Sequence, residues 1–274
     1  MPQVVDNRCQ PITLATNNLR AGYQNKIIVD GVSLTIPPQK MTVLVGANGS
    51  GKSTLLNTIG RMISPLEGQV ILDGRAIHQQ PTKQVARQLG ILPQTPLLPE
   101  GLTVLELVSR GRFPWQGFMR QWTEEDQLAV ERALHLTGTA SLASQPVDRL
   151  SGGQRQRCWI AMVLAQQTPI ILLDEPTTYL DLRYQVEILA LLQDLTRQHG
   201  RTVVVVLHDL NFAVAWGDTL MFLHEGQLVK TLENSADCTP ELIHQVFGLE
   251  VRRLEDPDTG KPFFIPRSRR DMPL

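Results

Sequence analysis

Short, fully apolar runs alternate along the chain with segments in which apolar residues recur every three or four positions. A fully apolar run predicts a strand covered on both faces of a sheet, and the longer spacing predicts an amphipathic helix. The run Met41–Val45 is followed by helical spacing at 54–59, and the run at 170–173 is followed by a helix at 181–198. A third apolar run, rich in valine, occupies 202–207. This order predicts an α/β domain.

Pairs of an acidic residue and a glycine predict three antiparallel hairpins. These hairpins join 26–29 to 32–36, 68–72 to 75–77, and 220–223 to Gln227–Leu232. Residues 12–15 are expected to form a first strand, and 21–23 are interpreted as a turn. A short helix, Thr82–Gln88, is predicted to lead into a strand, Leu89–Leu92.

The strand signal fades between residues 96 and 165. The spacing there predicts a helix over 103–110, a second helix capped at Thr123, and a third from Ser151 to about Gln167. We interpret this region as a helical insertion in the sheet domain. The last residues, 251–274, carry several Arg and Pro residues and are weakly specified by their pattern.

Composition narrows the functional classes. The 274 residues carry a formal net charge of −1, which gives no reason to expect a nucleic-acid surface. No apolar stretch approaches 18 residues, so the sequence predicts no membrane span, and the N-terminus does not resemble a signal peptide. Three separated cysteines indicate neither a zinc site nor a disulfide framework, and a reducing cytoplasm is the expected compartment.

A full match to G-x-x-x-x-G-K-[ST] lies between the first apolar run and the first helix. Its glycines let successive N–H groups point inward, and the positive end of the helix adds to this anion site. A glycine-rich turn that binds nothing is the alternative, but both flanks favour a nucleoside triphosphate. Lys52 would hold the β- and γ-phosphates, and Ser53 would offer a hydroxyl to Mg²⁺. The predicted phosphate-site residues are Gly46, Asn48, Gly49, Ser50, Gly51, Lys52, Ser53 and Thr54.

Polar residues follow the other predicted parallel strands. Parallel sheets place ligands at the carboxyl ends of their strands, so one site is expected to gather these residues. Asp174 is predicted to hold Mg²⁺ through water, and Glu175 to polarise an attacking water. His208 is predicted to hold the γ-phosphate and the water, and Gln94 to reach Mg²⁺ or water. The alternatives are a surface pair of acids, a satisfied histidine and an ordinary loop glutamine.

A second anion site is predicted where the third helix of the insertion begins. Ser151 can cap that helix, and Gly152 and Gly153 leave backbone N–H groups uncovered beside Gln154. The phosphate loop and this helix start are two anion sites in one chain, which suggests that each nucleotide is bound from two sides.

Together these motifs resemble the ATP-binding-cassette (ABC) ATPases over about residues 12–250. The matches are Gly46–Ser53 to Walker A, Gln94 to the Q-loop, 150–154 to the signature, 170–174 to Walker B, Glu175 to the catalytic glutamate, Leu180 and Asp181 to the D-loop, and His208 to the switch histidine. The resemblance implies that Tyr23 stacks on adenine, and that ATP and Mg²⁺ lie between two head-to-tail copies. It implies a P-loop NTPase (RecA-like) core with an N-terminal antiparallel β subdomain and an inserted α-helical subdomain. Small departures are Ala47, where Pro is common, and Thr178 with Tyr179, where Ser-Ala is usual.

A narrower resemblance is to the ATPase subunits of ferric-siderophore importers, such as the ferric dicitrate and ferric enterobactin systems. It is carried by 111–115, 151–157, 161–166, 174–181 and 256–262. It implies an ATPase at the cytoplasmic face of the inner membrane with two permease subunits, an extracytoplasmic substrate-binding protein and no nucleic-acid partner. Haem and vitamin B12 importers are the alternatives. A soluble cassette protein acting on ribosomes or DNA fits less well, because this chain has a single cassette. A regulatory cassette without ATPase activity also fits less well, because Glu175 and His208 are both present.

The insertion is also predicted to offer a groove for a cytoplasmic permease helix, formed by Gln94, 95–98 and 102–122. Aromatic, Met and Arg residues are enriched at interface cores, and this span carries Leu97, Leu98, Phe113, Trp115, Phe118, Met119 and Trp122. The alternative is that these residues pack the small core of the insertion itself.

Overall fold

The structure is a computed structural model that describes residues 11–24, 26–96, 101–117, 121–178 and 180–267. Its strands are β1 Leu14–Tyr23, β2 Lys26–Ile36, β3 Met41–Val45, β4 Glu67–Leu72, β5 Arg75–Ala76, β6 Leu89–Leu92, β7 Ile170–Asp174, β8 Thr202–Val206, β9 Thr219–His224, β10 Gln227–Leu232, β11 Val251–Glu255 and β12 Pro262–Pro266. Its α-helices are α1 Lys52–Ile59, α2 Thr82–Gln88, α3 Val104–Ser109, α4 Glu124–Leu136, α5 Gly152–Ala165, α6 Leu182–Arg197, α7 Leu210–Trp216 and α8 Pro240–Phe247.

A six-stranded sheet in the order β10-β9-β3-β8-β7-β6 forms the centre of the fold. Five of its strands are parallel, and β10 pairs antiparallel with β9. Every residue of β3, β7 and β8 is buried, as expected for strands covered on both faces. The predicted central strands are confirmed, as is the hairpin of β9 and β10.

The N-terminal sheet, in the order β2-β1-β4-β5, contains two corrections. The predicted turn at 21–23 lies within β1, and Tyr23 pairs with Lys26 at its end. The predicted hairpin across Asp30 and Gly31 is instead one continuous strand, β2, whose pairing with β1 is irregular there. Gly31 has a φ of 68°, and a strand can absorb such a residue as an irregularity while its partner holds it in place. The hairpin of β4 and β5 is confirmed.

The helical insertion packs α3 and α4 against α5. Each helix starts with a reciprocal capping box, in which the N-cap hydroxyl and a side chain three residues later satisfy each other's backbone N–H groups. The caps at Thr123 and Ser151 are therefore confirmed. The limits 12–250 for the domain and about 96–165 for the insertion stay predictions.

The C-terminal region is more ordered than its pattern indicated. Strands β11 and β12 form an antiparallel hairpin in the region whose pattern was weakly specified. Val251 and Phe264 are buried in the same hydrophobic core as Ala213 of α7. Within the described ranges, no helix combines the length and the apolar character that crossing a bilayer requires.

Candidate nucleotide site

The phosphate loop lies between β3 and α1. Gly49 and Gly51 adopt φ angles of 80° and 99°, which residues with a Cβ rarely tolerate. Gly51 is the N-cap of α1, so the free N–H groups of the first turn face the loop. The Lys52 ammonium lies within the loop and donates to the carbonyl oxygens of Gly46 (2.8 Å) and Ala47 (2.9 Å). The loop therefore combines N–H donors with one buried cation.

The turn between β9 and β10 is hydrogen-bonded to this loop, a feature that the sequence analysis missed. Gly226 N–H donates to the Ser50 carbonyl (3.1 Å), and its own carbonyl accepts from Asp30 N–H (2.9 Å). A Cβ on Gly226 would lie 2.2 Å from the carbonyl oxygen of Ile28. The close approach requires glycine, and only the tertiary structure shows it because Ser50, Ile28 and Gly226 are distant in the chain.

We expect Gly226→Ala to weaken ATP binding by about tenfold, because the clash with Ile28 must shift the turn that supports Ser50. The measurement is ATP affinity by isothermal titration. Gly74→Ala is the matched control, since Gly74 has a similar φ (73° against 79°) but no atom within 4 Å of the added Cβ. Equal losses of affinity in both variants would show that backbone strain alone matters and that the contact does not.

The residues that follow β6, β7 and β8 meet at one edge of the sheet. Glu175 is at the centre: Gln94 Nε2 donates to its Oε2 (2.8 Å), and His208 Nε2 lies 2.6 Å from its Oε1. Thr178 Oγ1 also donates to Oε2 (3.2 Å). Beside this cluster, Ser53 Oγ donates to Asp174 Oδ1 (2.9 Å). The predicted convergence of strand ends is therefore present in the structure.

Burial makes the charges of this site costly. Burial raises the pKa of Asp174, and neighbouring Glu175 adds to this, although the Ser53 hydrogen bond opposes it. Burial lowers the pKa of Lys52, and the two acids only partly oppose that shift. Asp174 Oδ2 is buried and, among the described residues, has no hydrogen-bond partner. A free carboxylate oxygen next to a serine hydroxyl fits the hard oxygen ligands that Mg²⁺ prefers.

The second predicted anion site lies at the start of α5. Ser151 Oγ accepts from Gln154 N–H, and Gln154 Oε1 accepts from Ser151 N–H. A Cβ on Gly152 would have no atom within 4 Å, so the backbone there is open to an approaching group. In the described part of the chain, no hydrogen bond joins 151–154 to 46–54.

Tyr23 is the last residue of β1. Its side chain is 52% exposed, so its ring is accessible. Tyr23 pairs with Lys26 of β2, and the Ile28 carbonyl of the same strand would be 3.2 Å from a Cβ on Gly51. The position suits a ring that stacks on a base.

Trp115, one of the predicted groove residues, is half-buried and makes several contacts within the fold. Its Nε1 donates to the Gln166 carbonyl (2.7 Å), and the guanidinium carbons of Arg87 and Arg112 lie 5.1 and 5.4 Å from its ring centre. Arg112 in turn forms a buried ion pair with Asp126 (2.9 Å). Trp115 thus ties the insertion to α2 and α5, whereas Phe113 is 61% exposed. Leu97, Leu98, Phe118 and Met119 lie outside the described residues.

A phosphate loop between a buried parallel strand and a helix, with acidic residues at the end of a neighbouring strand, defines a P-loop nucleoside triphosphatase. The family model described as ABC transporter matches residues 29–178. The chain is 48% identical over 256 residues to the achromobactin transport ATP-binding protein CbrD of Dickeya dadantii (strain 3937), covering 93% of this chain and 95% of that protein. It is 45% identical over 256 residues to the ferric enterobactin transport ATP-binding protein FepC of Escherichia coli (strain K12), covering 93% and 94%.

Among solved structures, the dimeric bacterial ABC transporter cassette MJ0796 matches with a TM-score of 0.72 and 32% identity, covering 80% of this chain and 97% of that one. The chain therefore belongs to the ABC transporter family. It is an ATP-hydrolysing cassette, and the predicted fold and the resemblance to siderophore-importer ATPases are confirmed.

Proposed function

We propose that this protein powers the import of iron(III)–siderophore complexes by hydrolysing ATP to ADP and phosphate. The observation that carries the ATPase part is the Glu175 carboxylate, which contacts both Gln94 and His208 beside the phosphate loop. The import part is supported by relatives named for achromobactin and ferric enterobactin. Because relatives named for two different chelates match at similar identity, the proposed cargo is the class of iron(III)–siderophore complexes.

Each group of site residues has a separate role in the proposed hydrolysis. Lys52 and the N–H groups of the loop neutralise and orient the phosphates, while Ser53, Gln94 and Asp174 are the proposed holders of Mg²⁺. When bound, Mg²⁺ would neutralise charge on the phosphate oxygens. Glu175 Oε2 accepts from both Gln94 and Thr178, but Oε1, which contacts His208, has a second lone pair that can accept from water. Glu175 thus orients the attacking water, and His208 holds the γ-phosphate.

The active unit is proposed to be a head-to-tail dimer. Residues 151–154 form an open, capped helix start, and no hydrogen bond links it to the phosphate loop within the described part of one chain. A second copy can bring this helix start to the phosphates from the other side, where its dipole favours negative charge. Tyr23 stacks on the adenine. The dimeric form of the MJ0796 cassette supports this arrangement.

Transport requires separate partners. We infer two membrane permease subunits, an extracytoplasmic substrate-binding protein, and a peripheral position on the cytoplasmic face of the inner membrane. The domain that does this work is proposed to span 12–250. Among the described residues, the exposed Phe113 and Trp122 are the proposed contacts of the permease groove beside Gln94, and Trp115 supports them from within the fold.

The test is uptake of radioactive iron, supplied as catecholate, hydroxamate and citrate-type siderophores, by source cells that lack this gene. We expect uptake of at least one chelate to fall to background, to recover with the wild-type gene, and not to recover with Glu175→Gln. Haem and vitamin B12 serve as comparison cargoes. If only their uptake responds, the alternative importer is correct. If no uptake responds and the protein copurifies with ribosomes, the transport proposal is wrong.

A further inference from the structure

The C-terminal hairpin of β11 and β12 holds α7 at two places. The Asn211 side chain pairs with the backbone of Phe264: its Nδ2 donates to the Phe264 carbonyl (3.1 Å), and its Oδ1 accepts from Phe264 N–H (2.8 Å). Lys261 Nζ donates to the carbonyl of Ala215, near the other end of the helix (2.6 Å). The Phe264 side chain is buried in the core that contains Ala213 and Val214.

Helix α7 begins two residues after His208, the residue proposed to hold the γ-phosphate. Asp209 is its N-cap, with Oδ1 accepting from Phe212 N–H (3.0 Å), and His208 is the residue before it. Strand β8 ends at Val206 on the other side. The position of the His208 backbone is therefore set by a buried strand on one side and by α7 on the other.

The contact made by His208 depends on this placement. Its side chain is 45% exposed, so little packing holds the ring in place. A 2.6 Å contact to Glu175 weakens steeply if the donor moves or tilts. A small rotation of α7 would shift the start of the helix and, with it, the ring.

We propose that the C-terminal hairpin is a positioning device for catalysis, in which Asn211 locks α7 so that His208 meets Glu175 and the γ-phosphate. The inference rests on the role given to His208 in the proposed function. Asn211 is a positioning residue in this account, because it acts through α7 and touches no reacting atom.

The test is a double-mutant cycle on ATP turnover with Asn211→Ala and His208→Ala. We expect Asn211→Ala alone to lower kcat about fivefold while KM for ATP changes less than about twofold. Combined with His208→Ala, it should cause no further loss. The matched control is Arg253→Ala, because Arg253 lies on the same hairpin but donates to Ala236, outside α7; its kcat should stay within about twofold of wild type.

Several outcomes would overturn the inference. An equal loss from Asn211→Ala with and without His208 would show a general effect on folding, as would an equal loss from Arg253→Ala. If His208→Ala itself leaves turnover unchanged, the proposed role of His208 fails first. Should Asn211→Ala not fold, Lys261→Ala removes the contact at the other end of α7, and the same cycle applies to it.

Discussion

Glu175→Gln should lower ATP turnover by about 100- to 1,000-fold while ATP still binds. The amide is nearly isosteric, but it neither takes a proton nor strongly polarises water. The structure adds a second reason. Both carboxylate oxygens contact polar nitrogen atoms, from Gln94 and from His208, whereas an amide can accept on only one side. The variant should therefore accumulate as a closed dimer with Mg·ATP.

Size-exclusion chromatography with and without Mg·ATP, together with phosphate release, measures this result. Omitting Mg²⁺ should abolish the dimer, because the phosphate charge is then not neutralised. Glu187→Gln is the matched control, since Glu187 forms an exposed pair with Arg183 on α6 and should turn over ATP normally. A Glu175→Gln protein that stays monomeric and releases phosphate rapidly would show that Glu175 does not orient the water.

Lys52→Ala should abolish hydrolysis and weaken ATP binding by about 100-fold. Lys52 is the sole cation of the segment 46–54, and its ammonium lies inside the loop against the Gly46 and Ala47 carbonyls. Burial lowers the pKa of this ammonium group, which means that burial destabilises its charged form in the folded protein. Its removal should therefore leave the melting temperature without nucleotide within a few degrees of wild type.

Equilibrium titration with ATP and a thermal melt measure the two parts of this result. Lys40→Ala is the control. Lys40 is exposed just before β3, so its substitution removes one lysine charge without changing the phosphate loop. Wild-type turnover in Lys52→Ala would remove the central assignment of the phosphate loop. A large drop in melting temperature would mean instead that the loop needs Lys52 to fold.

Local signals predicted the central sheet well. The valines of β8 and the apolar run of β7 are buried at every position, so their pattern carries the information needed. The helix caps at Thr123 and Ser151 are equally local, because a capping box involves residues only three positions apart. The hairpin of β9 and β10 was predicted from Glu225 and Gly226, which fit a tight turn.

The errors arose where a local signal had more than one outcome. Asp30 and Gly31 resemble a hairpin turn. In the structure Arg20 binds the Asp30 carboxylate (2.6 Å) and the Gly226 carbonyl accepts from the Asp30 N–H, so the strand continues. The groove around Trp115 stays a prediction, and the contacts of this residue with Arg87 and Gln166 join segments that are distant in the chain, so no local pattern shows them. The hairpin of β11 and β12 has few buried positions, so its pattern was faint.

The sequence by itself determined the chemistry of this protein: a phosphate loop, two acids after a buried strand, a histidine after another, and a capped helix with free N–H groups. These are short motifs, and each works through neighbouring residues on one strand end or one helix start. The tertiary structure alone decided how they meet, because the contacts of Gln94 and His208 with Glu175 join three strands of the sheet. It also decided which residues hold the motifs in place, Gly226 behind the loop and Asn211 on α7, since a supporting contact between distant segments leaves no local pattern.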